Sequence, residues 1–225
     1  MSREVSRRDA LRLGTVAGAG LALGAHPLSA SPISSLPVPS SPDEAMERLM
    51  AGNERFVSGR SMAPRRGLDR VRELSGGQAP YAAILGCADS RVPPEILFDE
   101  GFGDLFTVRV AGNVATPEEI ASLEYAVGVL GSQVVLVLGH TSCGAVTAAV
   151  DGGAVPGQIS SLFQHITPAV PDGAAIDEAV EANARYQARI LRSASPVLRD
   201  ALAAGSVVVR PAVYGLEDGR VRILS

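Results

Sequence analysis

The chain has 225 residues, with 24 acidic and 20 basic side chains and a formal net charge of −4, and it carries no basic stripe of the kind a nucleic-acid surface needs. Hydrophobic residues make up 46% and aromatics only 4%, with Trp absent, so the length supports one domain with an aliphatic core. No apolar run is long and unbroken enough for a stable membrane span.

The N-terminus reads as an address rather than as fold. Ser6-Arg7-Arg8-Asp9-Ala10-Leu11-Arg12 is a paired-arginine segment, and Leu13 to Ala25 is a mild Gly/Ala-rich apolar stretch. The pair resembles a twin-arginine export signal, with Ala10 where such signals usually carry a large apolar residue. This predicts a signal over residues 1–30 and an exported, periplasmic or extracytoplasmic location. Residues 31–42 form a Pro/Ser-rich linker without periodicity. The domain is expected over 43–225.

Ser41-Pro42-Asp43-Glu44 combines an N-cap, a proline at the first helical position and an acidic third position. Ala45, Met46, Leu49, Met50 and Phe56 follow at helical spacing. The amphipathic face could complete the core, and we expect it to pack on a neighbouring subunit. Strand and helix signals then alternate. Strands are predicted over 81–86, 105–110, 134–139, 206–213 and 220–224. Helices are predicted from 116 to about 130, from near Cys143, from 176 to about 191, and over 196–204. Such alternation implies an α/β fold, with a mainly parallel central sheet and flanking helices. The Asp218-Gly219 turn predicts an antiparallel edge strand.

The only two cysteines lie just beyond two of these strands. One is in Gly86-Cys87-Ala88-Asp89-Ser90-Arg91, the other in Gly139-His140-Thr141-Ser142-Cys143-Gly144. Ligands of open α/β sheets bind outside the carboxyl ends of strands. The period of two in extended backbone puts Cys87, Asp89 and Arg91 on one face. His140 and Cys143 are two residues apart, a spacing that lets one turn wrap a metal. Cys143 also opens a helix, whose N-terminus favours a thiolate. Two thiols, one imidazole and an open fourth position suit catalytic zinc. A Cys87–Cys143 disulfide and a closed structural metal site are the competing readings. The disulfide leaves His140, Asp89 and Arg91 without a role, and the usual CxxC knuckles are absent.

Cys87-Ala88-Asp89-Ser90-Arg91-Val92-Pro93 together with Gly139-His140-Thr141-Ser142-Cys143-Gly144 resembles the β-class carbonic anhydrases, and the likeness covers nearly all of 43–225. The resemblance implies zinc held by Cys87, His140 and Cys143. Asp89 would orient the attacking hydroxide, and Arg91 would keep Asp89 ionised. The reaction implied is reversible hydration of CO2 to bicarbonate and a proton. It further implies that Gln78 donates to bicarbonate, that Phe106 and Tyr125 line the CO2 pocket from across a dimer interface, and that Gly144 lets the backbone approach closely. Arg109 would hold anions near the site or form a salt bridge. The expected assembly is a homodimer or a dimer of dimers. Ile84 stands where members that close the site with the aspartate often carry Trp, and Val129 where some carry a shuttle histidine. Proton release then falls to Tyr125 or external buffer, His165 being read as a surface or packing residue. Hydrolysis of carbonyl sulfide or carbon disulfide is the alternative chemistry. A non-catalytic zinc- or redox-responsive binding protein is the alternative class.

Overall fold

The computed structural model describes residues 38–225, so the expected signal and most of the linker lie outside the described residues. Helix α1 spans Pro42–Val57. Ser41 Oγ accepts from the Glu44 amide at 3.2 Å, and the Glu44 carboxylate reaches back to the Ser40 amide and hydroxyl, each at 2.7 Å. Two serines thus share the work of one capping box.

The buried face of α1 is Ala45, Leu49, Gly52 and Asn53. It packs on this chain's own sheet, where Ala45 and Leu49 join Ile84, Leu136 and Phe98 in one core cluster. This corrects the expectation that the face is kept for a neighbouring subunit. Gly52 makes the approach possible, since a Cβ there would meet the Phe98 carbonyl oxygen at 1.8 Å. Asn53 then locks the contact. Its Nδ2 donates to the carbonyls of Leu97 (3.1 Å) and Gly219 (2.9 Å), and its Oδ1 accepts from the Val221 amide (2.9 Å).

Five strands form one sheet: β1 (Ala82–Gly86), β2 (Leu105–Arg109), β3 (Val134–His140), β4 (Val208–Tyr214) and β5 (Val221–Ile223). Their order is β2-β1-β3-β4-β5. The first four are parallel, and β5 runs antiparallel to β4, as the Asp218-Gly219 turn predicts. All five expected strands are present, shifted by one or two residues at their ends.

Alternation along the strands sorts the core into two layers. Ala82, Ile84, Val134, Leu136 and Leu138 face α1. Ala83, Leu85, Val135, Val137 and Val209 face the other side. Helices α4 (Pro117–Gly128), α7 (Ile176–Ala194) and α8 (Pro196–Ala203) cover that side. Helix α5 is Gly144–Asp151. Three short helices, α2 (Leu68–Glu73), α3 (Pro94–Leu97) and α6 (Phe163–Ile166), were not expected. At four to six residues they are too short to show a period.

A buried ionic network closes the N-terminal end of β1 and β2. Arg48 bonds Glu100 through Nε and Nη2, each at 2.9 Å, and reaches Asp104 at 3.1 Å. Arg65 bonds Glu100 and Asp104, both at 2.7 Å. The Tyr81 hydroxyl donates to Glu100 at 2.8 Å, and the Arg48 guanidinium lies 4.2 Å from the Tyr81 ring centroid. Two guanidiniums meet two carboxylates here, with every group engaged.

Candidate metal centre

The strand order places β1 and β3 side by side with connections leaving in opposite directions, so the crevice beyond their carboxyl ends is the natural binding position. Cys87 follows β1 directly and His140 is the last residue of β3. The chain then turns sharply through Ser142, at φ 55°, and Cys143 caps α5. That left-handed residue is strained backbone at the one point where the chain must double back. The Sγ atoms of Cys87 and Cys143 and a ring nitrogen of His140 lie within 4.8 Å of one another, and all three residues are buried.

Three observations fit this trio to a tetrahedral thiophilic cation. The sulfurs are 4.0 Å apart and unbonded, near the roughly 3.8 Å that two ligands at Zn–S distances subtend. His140 Nδ1 lies 3.0 Å from the Thr141 carbonyl oxygen. A carbonyl only accepts, so Nδ1 carries the proton and Nε2 presents its lone pair. That Nε2 is buried with no hydrogen-bond partner, which is costly unless something else engages it. The thiols agree. The hydrogen bond from Cys143 draws the Cys87 thiol down to about 4, while that bond, burial and the facing sulfur push Cys143 well up. The amides of Ala145 and Val146 pull the other way and are outweighed. A pair of thiolates this close needs a cation between them.

Asp89 stands beside this trio with Oδ2 3.9 Å from His140 Nε2. Arg91 grips it on both oxygens, Nε to Oδ1 at 2.9 Å and Nη2 to Oδ2 at 2.8 Å, and the Arg91 amide adds a third bond at 2.9 Å. The Arg91 side chain thereby holds the Asp89 carboxyl well below the ordinary carboxylate range. Cys87 and Asp89 do serve one face, as the period of two implies.

Among the described residues Arg109 forms no salt bridge. Its Nε donates to the Cys87 carbonyl at 3.0 Å and its Nη2 to the Asp89 carbonyl at 2.6 Å, so it clamps the loop that carries both residues. Gly112 was read only as loop, yet its amide donates to Cys87 Sγ at 3.4 Å. Its φ of 76° would strain a larger residue, whose Cβ would also press on the end of the Ile166 side chain at 2.7 Å. Asn183 of α7 holds the Gly112 carbonyl at 2.9 Å, and Gln187 holds the Ala115 amide at 2.9 Å. Two buried amides four residues apart on an otherwise apolar helix face were the available signal.

Gln78, Phe106 and Tyr125 do not join the trio within one chain. Gln78 is exposed and precedes β1, at the opposite end of that strand from Cys87. Phe106 pairs with Ala83, four residues and about 13 Å of strand before Cys87. Tyr125, 47% exposed, stands beside Phe106 with ring centroids 6.2 Å apart. Gly144 is exposed, with nothing within 4 Å of a built Cβ, so space is open beside Cys143.

The comparisons with known proteins agree with this geometry. A family described as carbonic anhydrase matches residues 82–221. "Carbonic anhydrase 2" of Mycobacterium tuberculosis is 40% identical over 190 residues, 80% of this chain and 92% of that protein. The carbonic anhydrase of Mycolicibacterium smegmatis is 40% identical over 195 residues, 83% of this chain and 95% of that one. The solved β-carbonic anhydrase CafA of Aspergillus fumigatus superposes with a TM-score of 0.62 at 27% identity, over 80% of this chain and 90% of its own. With the Cys-His-Cys trio at the carboxyl edge of a parallel sheet, these matches show that the chain belongs to the β-class carbonic anhydrase family of enzymes.

Proposed function

We propose that this chain hydrates CO2 reversibly to bicarbonate and a proton, with zinc held by Cys87, His140 and Cys143. The observation that carries the reading is the buried, partnerless Nε2 of His140, facing two thiols and flanked by an ionised carboxylate. When bound, zinc supplies a Lewis acid that brings the ionisation of water toward neutral pH. Asp89, held ionised by Arg91, can only accept. It takes a hydrogen bond from the O–H of the attacking hydroxide and so turns an oxygen lone pair toward the carbon of CO2. The new C–O bond leaves its negative charge on bicarbonate, and water replaces the product. Each turnover releases one proton, and Asp89 stays too weak a base to keep it. External buffer is the acceptor, so the rate should rise with buffer concentration. Arg109 keeps Cys87 and Asp89 in register throughout by gripping their two carbonyls.

Gln78, Phe106 and Tyr125 reach a metal centre only from a second chain, and β2, which carries Phe106, is an edge strand. We therefore read the working unit as a homodimer or a dimer of dimers whose partners complete each other's CO2 pocket. The twin-arginine-type segment further suggests a protein exported already folded; among the described residues no helix is long and apolar enough to cross a membrane.

The test is stopped-flow CO2 hydration by the purified chain across pH, with metal content measured on the same sample. Turnover that begins near neutral pH with one zinc per chain supports the reading. A zinc-loaded chain silent toward CO2 at every pH would refute it, and carbonyl sulfide would then be the next substrate to try.

A further inference from the structure

The sequence shows no basic run, yet the fold assembles one. Arg185, Arg189 and Arg192 recur at helical spacing on α7, and Arg210 of β4 faces them across a groove of about 310 Å³. The chain contains no lysine, so the choice of arginine carries no information; the placement does. Four guanidiniums line this groove on a chain whose net charge is −4.

Countercharge is short. Arg185 is the engaged one: it donates to the Ser225 carbonyl oxygen, which lines the same groove, and lies 3.6 Å from Glu181, a carboxylate shared with Arg222 at 2.5 Å. Among the described residues, Arg189, Arg192 and Arg210 have no carboxylate within salt-bridge distance. Arg192 spends one donor on the Val209 carbonyl at 2.5 Å, Arg210 reaches the same oxygen at 3.4 Å, and Arg189 lies over the Tyr186 ring at 5.3 Å. Burial and the neighbouring Arg210 both disfavour the charge on Arg192. Like charges held together in this way weaken the fold unless an anion joins them. The ionic network at Glu100 is the contrast, because there every guanidinium meets a carboxylate.

We propose that the groove between α7 and β4, lined by Arg185, Arg189, Arg192 and Arg210, binds a phosphate-type oxyanion. Planar guanidiniums match phosphate oxygens in pairs, and a groove of this size suits a small ligand rather than an extended polymer. The site is separate from the metal centre. Arg210 pairs in register with Leu136, four residues and about 13 Å of strand before His140.

The experiment is calorimetric titration of the metal-loaded full chain with inorganic phosphate, against chloride at matched ionic strength. Saturable binding is expected for the parent, weakened about tenfold by Arg189→Gln and by Arg210→Gln, and unchanged by Arg91→Gln. Loss in Arg91→Gln alone would place the anion at the metal centre and overturn the proposal, as would heat no different from chloride. Melting without phosphate separates a structural role. Removing repulsion should leave Arg210→Gln melting at or above the parent, whereas a lower melting temperature with no phosphate response would make the cluster structural. Vesicles of phosphatidylcholine with and without phosphatidylglycerol identify the source. Co-flotation with the anionic vesicles assigns the site to a lipid headgroup, and phosphate binding without it to a free phosphate compound.

Discussion

At the N-terminal end of the sheet, Arg48 and Arg65 meet Glu100 and Asp104 with Tyr81 closing the circle. At the C-terminal end, two thiols and an imidazole nitrogen meet, among the described residues, no cation and no hydrogen-bond donor that would satisfy Nε2. Both ends are buried and polar. The first closes on itself and asks for nothing from outside. The second is left short by one cation. Burial of polar groups therefore does not mark the site in this fold; the shortfall does.

The strongest way to break the comparison is Cys143→Ser. It should remove the metal and abolish CO2 hydration, read by metal content and stopped-flow; a fully active variant would show that the trio is not the centre. Glu100→Ala comes next. It leaves Arg48 and Arg65 to share Asp104 alone and the Tyr81 hydroxyl without its acceptor, and should destabilise the fold by about 3 kcal/mol, read by urea unfolding. Its folded fraction should keep the parent's turnover, and lost turnover there would mean that the two ends are not independent. Asp89→Asn should keep the metal and lower turnover on the order of 10²-fold, with Arg91→Ala acting in the same direction; loss of metal in either would merge roles kept apart here.

The smallest effect is on pH. The Asp89 carboxyl sits below its ordinary value in the folded chain, so its stabilisation is present above the unfolded value of about 4 and is lost only as pH falls through the lower folded value. Arg91 is 53% exposed, which keeps that contribution small. Between pH 5 and 9 the unfolding free energies of the parent and Asp89→Asn should stay parallel, and divergence there would mean that Arg91 does not hold Asp89.

Much of the C-terminal end was legible in the sequence. Apolar runs ending in glycine announced β1 and β3, and His140-x-x-Cys143 is a local spacing that survives folding unchanged. The N-terminal end was not legible, because Arg48 and Glu100 are 52 residues apart and Arg65 and Asp104 are 39 apart. No local pattern brings them together. The clamp made by Arg109 was missed for a related reason. Its partners are backbone carbonyls, which every residue has and no sequence displays. The face of α1 was assigned to a neighbour because periodicity reports that a face is apolar, not which surface receives it. The arginine groove escaped notice because Arg210 comes from a strand and its companions from a helix.

Asn53 ties α1 to Gly219 and Val221, partners 166 and 168 residues further along. A growing chain emerges from the ribosome with α1 first and the β4–β5 hairpin among the last elements made. Until that hairpin arrives, Asn53 lacks both of its most distant partners. Contacts of such long range slow folding, and here they also put it late. The domain completes itself only once the hairpin has been made, and the apolar face of the early helix must be kept from aggregating while it waits.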